Sequence, residues 1–283
     1  MFSGLEGKVA VVTGAAGGIG SATARRLSAE GCRVVVVDLD GQGARKVAAE
    51  LPGESAWVQA DVATDEGVEE YLGEATRSFG KIDLHHLNAG IPGPASGFPE
   101  LDVAEFDRVM AVNVRGVFLG LRGAFRRYRE QRTAGSVVLT ASIASLRGSA
   151  DLIAYQTSKH AVLGLLRGAA MYGGPLGIRV NAVAPGIVPT DLFSAAGRAD
   201  MVRRAASSPL RRAGTTDEIA SVVAFLLSEE SAYLTGEVVS VDGGAAIMST
   251  VRSSGGAGAW DFDALDRRTY GRPAGSRQQE SEE

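Results

Sequence analysis

The sequence predicts an α/β protein in which helices cover both faces of a doubly wound parallel sheet. Two observations predict this fold class. Apolar runs typical of buried strands alternate with helical patterns from Lys8 to Gly244. The first run also leads through a glycine-rich turn directly into a helical pattern, an arrangement typical of nucleotide-binding α/β proteins.

Composition is ordinary for a globular protein and limits the possible partners. The chain has 283 residues, of which 45% are apolar and 22% charged, and its formal net charge is −4. That charge gives no reason to expect nucleic acid or an anionic membrane as a partner. Cys32 is the single cysteine, which excludes an intrachain disulfide and fits a reducing compartment. The first eight residues lack the features of a signal peptide, and no apolar run approaches the roughly 18 residues that span a membrane. We therefore expect a cytoplasmic protein.

The glycine-rich turn follows the first predicted strand, Lys8–Thr13. It reads Gly14-Ala-Ala-Gly-Gly-Ile-Gly20, which gives a Thr-Gly-x-x-x-Gly-x-Gly spacing. Glycines allow the main chain to approach a pyrophosphate, and the N–H groups that begin the next helix, at Gly18, Ile19 and Gly20, can donate to it. The turn predicts nucleotide binding, and the alternative is a purely structural connection.

Asp38 ends the second predicted strand, Arg33–Asp38, about twenty residues after the glycine-rich turn. A carboxylate at this place can accept hydrogen bonds from both hydroxyls of an adenosine ribose, and it repels a 2′-phosphate. The variable positions of the turn hold no arginine that would offset this repulsion. NAD is therefore favoured over NADP. The alternative for Asp38 is a helix N-cap.

The alternation continues in regular order. Further strand patterns cover Ser55–Val62, Ile82–Leu87, Ser136–Ser142, Ile178–Ala184 and Glu237–Asp242. Further helical patterns cover Gly41–Leu51, Thr64–Phe79, Val103–Arg132, Asp151–Arg167 and Thr216–Ser228.

Histidines give no sign of a metal site. His85 and His86 are adjacent on a predicted strand, so they point to opposite faces and cannot chelate one metal together. His160 is isolated. We expect structural histidines and no metal.

Two features of the long helical region Val103–Arg132 stand out. Asn113 is a polar residue among apolar neighbours and needs a buried partner. Arg122, Arg126 and Arg129 share one helical face, where like charges repel. That face is either solvated or a docking surface for an acidic partner.

Tyr155 and Lys159 lie four residues apart on a predicted helix and therefore share one face. A free phenol has a pKa of about 10, and a nearby ammonium is expected to lower it toward the working range. Ser142 ends a predicted strand, at the edge where open α/β sheets bind ligands. Taken alone, the Tyr–Lys pair also fits a surface helix with a snorkelling lysine.

Together these motifs resemble the short-chain dehydrogenase/reductase family over about Leu5 to Gly244. Six motifs occur in the family's order: Thr13–Gly20, Asp61-Val62, Asn88-Ala89-Gly90, Asn113, the set Ser142/Tyr155/Lys159, and Pro185-Gly186 through Thr190. The resemblance implies one Rossmann-type domain with a seven-stranded parallel sheet, covering residues 1–248, and leaves 249–283 as a C-terminal extension. The chain departs from the family's pattern at His-His-Leu before Asn88, where many relatives carry another asparagine.

The resemblance also implies a role for each matching residue. Tyr155 would donate and accept the substrate's proton, Lys159 would hold the nicotinamide ribose and acidify Tyr155, and Ser142 would bond the substrate oxygen. Asn113 would hold a water in a proton relay. The implied cofactor contacts are Asp61 and Val62 at the adenine, Asn88 and Gly90 along the adenosine, and Val188 and Thr190 at the carboxamide, with Pro185 beside them.

The leading hypothesis is an NAD-dependent oxidoreductase that interconverts a secondary alcohol and a ketone, with Tyr155 as general acid and base. A second is a reductase of 3-oxoacyl groups on a carrier protein, docked on the arginine face; the NAD preference argues against it. A third is a non-catalytic NAD-sensing protein, which would not need the whole set of Asn113, Ser142, Tyr155 and Lys159.

Three further expectations concern substrate, assembly and tail. An apolar substrate site is suggested by the candidate lid residues Ile187, Leu192, Phe193 and Met201, with Leu146 and Ile153. The resemblance implies a homotetramer that packs through the Tyr155 helix and the helix through Asn113.

In the partly mobile extension, Ser253–Ala259 is linker-like by composition and Gln278–Glu283 is expected to be free. Between them, Trp260, Phe262, Leu265 and Tyr270 carry enough apolar surface to dock on the body near Leu192–Arg212, although a flexible extension with incidental aromatics is the alternative.

Overall fold

A computed structural model describes residues 1–149, 151–190 and 195–248, together with the isolated positions 264 and 267. Seven parallel strands form one sheet in the order β3-β2-β1-β4-β5-β6-β7. The strands are β1 (Val9–Thr13), β2 (Arg33–Asp38), β3 (Ser55–Gln59), β4 (Leu84–Leu87), β5 (Gly135–Thr140), β6 (Ile178–Pro185) and β7 (Val238–Val241). The predicted seven-stranded Rossmann-type sheet in a single domain is confirmed.

Helices connect the strands and cover the sheet. The longer helices of the described ranges are α1 (Gly18–Ala29), α2 (Gly41–Glu50), α3 (Asp65–Phe79), α4 (Val103–Met110), α5 (Gly116–Gln131), α6 (Ile153–Gly173), α7 (Ala195–Ala205) and α8 (Thr216–Leu227). None of the described helices is long and apolar enough to cross a membrane.

Central strands are apolar on both sides because both sides are covered. All five residues of β1 are buried, and so are the four consecutive valines of β2. One face packs against α1, α2 and α8 around Val12, Val36 and Val138. The other packs against α3, and against α5 and α6 farther along the sheet.

The strand order reverses between β1 and β4. From β1 the sheet grows through β2 and β3 in one direction and through β4 to β7 in the other. All strands are parallel, so their carboxyl ends share one edge. In open α/β sheets, ligands bind at this edge beside the point of reversal.

Several predicted boundaries differ from the observed ones. The strand expected over Ser55–Val62 ends at Gln59, because its neighbour β2 ends at Asp38, the residue paired with Gln59. The strand expected over Ile82–Leu87 begins at Leu84. The long helix through Asn113 is present, but a π-helical turn, Ala111–Arg115, separates α4 from α5. The Tyr155 helix begins at Ile153 rather than Asp151, and it ends at Gly173, where the sequence Gly173-Gly174-Pro175 predicts its end.

Candidate active site

The glycine-rich turn lies at the carboxyl end of β1 and closes on itself. Gly14 and Gly18 have φ of +65° and +54°, in the left-handed region that glycine favours. A Cβ on Gly20 would collide with the carbonyl oxygen of Gly14, and a Cβ on Gly14 would lie 2.8 Å from the Cα of Ala89. The turn therefore requires glycine at these positions for backbone reasons.

Helix α1 begins inside this turn without a side-chain cap. Its N-cap residue is Gly17, which has no side chain, and no acidic residue lies in the first turn. The first N–H groups of a helix have no partner within the helix and carry the positive end of its dipole. The N-terminus at Gly18, Ile19 and Gly20 can therefore receive an anion such as a pyrophosphate.

Asp38 faces the turn from the end of β2. Its Oδ2 accepts a hydrogen bond from the Ala16 N–H at 2.9 Å, and its Oδ1 accepts from the Asp40 N–H at 3.0 Å. Helix α2 is capped by Asp40, whose carboxylate accepts from the Gly43 N–H. The alternative of Asp38 as a helix N-cap is therefore wrong, and its carboxylate keeps lone pairs for a ligand.

Asn88, Ala89 and Gly90 continue from β4 and lie against the start of the turn. The Asn88 side chain donates to the carbonyls of Thr13 and Gly14 at 3.1 and 3.2 Å. The Thr13 hydroxyl accepts from the N–H groups of Asn88 and Ala89. These bonds join the ends of β1 and β4 at the sheet's point of reversal.

Gly90 lies where the glycine-rich turn meets the reactive side chains. A Cβ there would lie 3.2 Å from Asn113 Oδ1 and 3.5 Å from Lys159 Nζ. Asp61 and Val62 lie farther along the same edge, after β3. Asp61 Oδ1 accepts from the Ala63 N–H at 2.9 Å.

The segment after β6 reaches back over the turn. The methyl group of Thr190 lies 3.3 Å from the place a Cβ of Gly18 would take. Pro185 ends β6. The Val188 side chain is buried in the core, so a ligand could contact this residue only through its main chain.

Asn113 lies in the π-helical turn and is fully buried. Its Oδ1 accepts from the Ile91 N–H at 2.8 Å, and its Nδ2 donates to the Ile91 carbonyl at 2.9 Å and to Ser158 Oγ at 3.0 Å. The expected buried partners are present. Both amide hydrogens are committed, so any water at Asn113 has to bind the second lone pair of Oδ1 or the main-chain carbonyl.

Ser142 and Tyr155 meet at the carboxyl end of β5. The Ser142 hydroxyl accepts from the Ala144 N–H at 3.1 Å, capping the short helix Ile143–Ser145. Burial raises the pKa of the Tyr155 phenol, and a hydrogen bond with Ser142 acts in the opposite direction. A partly exposed phenol and hydroxyl in contact can bond one substrate oxygen together.

Lys159 is buried one helical turn after Tyr155. Its Nζ donates to the Thr140 carbonyl at 2.8 Å and lies 5.6 Å from the centre of the Tyr155 ring. Burial lowers the pKa of Lys159 to about 8. That Lys159 lowers the pKa of Tyr155 stays a prediction for the site with its cofactor bound.

Three polar residues that support these groups do not stand out in the sequence. Ser158 accepts from Asn113 and donates to the Tyr155 carbonyl at 2.6 Å. Ser145 donates to the Lys159 carbonyl at 2.8 Å. Thr140 bonds both Asn88 and Lys159. Only Thr140 carries a sequence signal, because in the predicted strand Ser136–Ser142 it lies two residues before Ser142 and on the same face; the observed strand β5 ends at Thr140.

The lid candidates do not all lie in the described ranges. Leu192 and Phe193 fall outside them, as do the large apolar tail residues Trp260, Phe262, Leu265 and Tyr270 and the expected linker Ser253–Ala259 and free end Gln278–Glu283. Leu146 is 43% exposed beside the site, whereas Ile153 is buried and does not present its side chain to solvent. Ile187 and Met201 are partly exposed.

Acidic residues of α3 neutralise much of the arginine face on α5. Arg122 pairs with Asp65, and Arg126 lies 3.8 Å from Glu69. Arg129 has no ion pair among the residues that the structure describes. The repulsion predicted within α5 is therefore relieved by its neighbour helix.

The histidines point where the strand alternation predicts. His85 Nδ1 lies 2.8 Å from the Tyr128 hydroxyl on one face of the sheet, and His86 Nε2 lies 2.9 Å from Thr140 Oγ1 on the other. In the described ranges, no group of three or more histidine, cysteine, aspartate or glutamate residues could hold a metal.

Comparisons with known proteins agree with this geometry. A family model described as enoyl-(acyl carrier protein) reductase matches residues 14–246. Levodione reductase from Leifsonia aquatica is 40% identical over 250 residues, which are 84% of this chain and 93% of that protein. A crystal structure of levodione reductase has a TM-score of 0.82 at 37% identity and covers 88% of this chain and 100% of its own.

The descriptions of two further similar proteins include a substrate ring in one case and a cofactor in the other. Cis-4-hydroxycyclohexanecarboxylate dehydrogenase from Sinomonas cyclohexanicum is 39% identical over 240 residues, 84% of this chain and 96% of that protein. A 3-ketoacyl-(acyl-carrier-protein) reductase from Brucella melitensis, solved with NADH, has a TM-score of 0.80 at 33% identity and covers 85% of this chain and 98% of its own. The fold, the site and these relatives together show that the chain is an oxidoreductase of the short-chain dehydrogenase/reductase family.

Proposed function

We propose that this protein is an NAD-dependent oxidoreductase that interconverts a secondary alcohol and a ketone, with Tyr155 as the general acid and base. The observation that carries the proposal is the convergence of Asn113, Ser142, Tyr155 and Lys159 beside the glycine-rich turn. Ser142 lies close enough to Tyr155 to lower the pKa of its phenol, and Lys159 and Asn113 flank Gly90.

Tyr155 transfers the proton, and Ser142 positions the substrate oxygen that gives or receives it. In reduction, the Tyr155 hydroxyl gives its proton to the carbonyl oxygen; in oxidation, the phenolate takes the proton of the alcohol. The Ser142 hydroxyl bonds the same oxygen and fixes its place. The bound nicotinamide supplies the hydride acceptor for oxidation and the hydride donor for reduction.

Lys159 must stay protonated to help Tyr155 ionise. Its low pKa follows from burial with one carbonyl partner, Thr140. Hydroxyl groups of a ribose placed at Nζ would accept hydrogen bonds from the ammonium and favour its charged form. Binding of the cofactor and activation of Tyr155 are therefore coupled through Lys159.

The residues of the cofactor site fit a dinucleotide. Gly14, Gly18, Ile19 and Gly20 offer the close main chain and the free helix N-terminus that a pyrophosphate needs. We assign Asp38 to the adenosine ribose. The remaining contacts are assigned to Asp61 and Val62 at the adenine, Asn88 and Gly90 along the adenosine, and Pro185, Val188 and Thr190 at the carboxamide.

NAD is preferred over NADP in this proposal. The Asp38 carboxylate lies at the end of β2 and would repel a 2′-phosphate. The next residue, Leu39, is apolar and 67% exposed, so it offers no charge to offset that repulsion.

We further propose a ring-bearing alcohol as the substrate. Cis-4-hydroxycyclohexanecarboxylate dehydrogenase is a relative whose name specifies a hydroxylated cyclohexane ring. The exposed Leu146 beside Ser142 offers apolar surface for such a ring.

Reduction of an acyl group on a carrier protein is the second candidate. A 3-ketoacyl reductase among the similar structures favours it. The ion pair of Arg122 with Asp65 counts against it, because it already offsets one charge of the arginine face, and Glu69 is shared between Arg126 and Arg127. The third hypothesis, a non-catalytic NAD sensor, gains no support from a site in which all four reactive side chains converge.

The homotetramer remains part of the proposal. Phe118 on α5 and Met171 and Tyr172 on α6 are large apolar residues with 48%, 81% and 64% of their surface exposed. An interface through these two helices would cover them. Light scattering at micromolar concentration should show a tetramer that Met171→Glu weakens; a wild-type monomer would contradict the assembly.

A coupled screen tests the catalytic proposal. Cyclohexanols, aromatic secondary alcohols and 3-hydroxyacyl thioesters are offered with NAD or NADP, and formation of the reduced cofactor is followed by absorbance. The matching ketones and 3-oxoacyl thioesters are offered with the reduced cofactors, whose loss is followed in the same way. We expect turnover of cyclohexanols with NAD. Faster turnover of the thioesters would favour the second candidate, and no turnover with any substrate in either direction would favour a sensor.

A further inference from the structure

A buried chain of hydrogen bonds runs from His86 to the glycine-rich turn. His86 is fully buried on β4, and its Nε2 lies 2.9 Å from Thr140 Oγ1. Thr140 Oγ1 lies 3.0 Å from Asn88 Oδ1. Asn88 Nδ2 lies 3.1 and 3.2 Å from the carbonyl oxygens of Thr13 and Gly14.

Strand pairing places these side chains together. His86 and Asn88 are two residues apart, so they share one face of the sheet. His86 pairs with Val138 of β5, and Thr140 follows two residues later on the same face. The chain of bonds is therefore built into the register of β4 and β5.

The direction of every bond in this chain is determined. Asn88 faces two carbonyl oxygens, so its NH₂ group must point to them and its Oδ1 must point to Thr140. Thr140 therefore donates its one hydroxyl hydrogen to Asn88. The bond between Thr140 and His86 must then use a hydrogen on His86 Nε2.

We propose that His86 is a positioning residue for the cofactor site. Its Nε2–H holds the Thr140 hydroxyl in the orientation that fixes Asn88, and Asn88 in turn holds the Thr13 and Gly14 carbonyls at the start of the glycine-rich turn. The inference rests on the proposed function in one respect, since the cofactor is expected to bind on that turn.

Burying an imidazole at this position costs free energy that an apolar side chain would not cost. Nδ1 of His86 has no hydrogen-bond partner among the described residues, and burial lowers the pKa of His86 to about 3. The surrounding face is apolar, with Val12 and Val138 beside it. A leucine at 86 would strand no buried donor, because Thr140 would still donate to Asn88. Stability alone therefore does not require a histidine.

Thr140 makes it possible to distinguish an effect on cofactor binding from an effect on catalysis, because its side chain and its main chain bond different groups. Its side chain bonds His86 and Asn88, whereas its main-chain carbonyl bonds Lys159. Losing the His86 bond should therefore loosen the glycine-rich turn and leave Lys159 in place. We expect weaker cofactor binding with a much smaller change in kcat.

Matched variants test the proposal. His86→Leu removes the donor, and His86→Gln restores an N–H near the Nε2 position. His85→Leu is the control, because His85 is the adjacent residue, is equally buried and has the same lowered pKa of about 3, but bonds Tyr128 on the opposite face. Calorimetry measures NAD binding, and steady-state kinetics separate KM from kcat.

We expect His86→Leu to weaken NAD binding about two- to tenfold, the effect of one neutral hydrogen bond. His86→Gln should recover most of the loss, and His85→Leu should bind NAD as the wild type does. Thr140→Val should weaken binding at least as much as His86→Leu, because it also removes the donor to Asn88, and the double variant should be no weaker than Thr140→Val alone. Wild-type affinity in His86→Leu, or equal losses in the two leucine variants, would overturn the role of His86.

The tautomer gives a readout that needs no cofactor. Nitrogen-15 NMR of the wild-type protein should show His86 neutral at pH 6 with its hydrogen on Nε2. A hydrogen on Nδ1 would overturn the chain of bonds. If the wild type fails to bind NAD in calorimetry, both the proposed function and this role of His86 are refuted. If the wild type binds NAD and His86→Leu binds it equally well, only the role of His86 is refuted.

Discussion

Replacing Asp38 should change the choice of cofactor. The carboxylate already accepts the N–H groups of Ala16 and Asp40, at 2.9 and 3.0 Å. A carboxylate has about four lone-pair sites, so about two remain for ribose hydroxyls. A hydrogen bond to a charged group contributes about 1.5–3 kcal/mol, so losing even one corresponds to about 10- to 100-fold in affinity. We expect Asp38→Ala to raise the KM for NAD by about that factor.

The same substitution should make NADP a better cofactor, because it removes the charge that opposes the 2′-phosphate. Initial rates with both cofactors give the ratio of kcat/KM values. Asp40→Ala is the matched control, since Asp40 is a neighbouring carboxylate that caps α2 through the Gly43 N–H. It should cost about 1 kcal/mol of stability and leave the ratio unchanged. A wild type that prefers NADP, or equal changes in the two variants, would refute the assignment of Asp38.

Three further predictions address stability, the glycine-rich turn and the tail. Burial lowers the pKa of His85 and His86 to about 3, whereas in the unfolded chain it is about 6.5. Between these two pH values the unfolded state binds more protons than the folded state, so acid favours unfolding. Their contribution to stability is complete above pH 6.5 and falls below it; at pH 5 the free energy of unfolding should be lower by about 2 kcal/mol per histidine. Urea unfolding at pH 7.5 and 5 checks this, and an unchanged pH dependence in the double leucine variant would contradict it. Gly20→Ala should abolish detectable NAD binding, because its Cβ would collide with the turn. Gly17→Ala is the control and should bind NAD normally, because a Cβ at Gly17 would have no atom within 4 Å. Equal NAD binding by the two variants in calorimetry would count against the turn as the cofactor site. Deleting all residues after Thr250 should change the melting temperature, the substrate KM or the oligomer size, and no change in any of them would mean that the tail does not dock.

Much of the fold could be predicted from the sequence because local signals and sheet topology agree. Apolar runs such as Arg33–Asp38 are long enough to identify buried strands, and parallel pairing then brings their carboxyl ends to one edge. Ser142 and Asp38, far apart in the chain, therefore lie at the same edge. The start of α8 follows from local sequence as well, since Thr215 and Glu218 have the spacing of a capping box and form one in the structure.

The rest depends on distances that a sequence does not contain. How strongly Lys159 acts on Tyr155 depends on their distance and on how far each group is withdrawn from solvent, and neither can be read from the sequence. The partners of Asn113 are the main chain of Ile91 and the side chain of Ser158. Main-chain partners leave no sequence motif, and a lone serine has no distinctive spacing.

The central claim is that Tyr155 transfers the proton, and Tyr155→Phe tests it most directly. The variant keeps the ring and its packing and removes only the hydroxyl that contacts Ser142. With a cyclohexanol and NAD, turnover should fall by about 10²- to 10⁴-fold, while calorimetry shows NAD bound nearly as in the wild type. Turnover within a few fold of the wild type, at equal NAD affinity, would contradict the account.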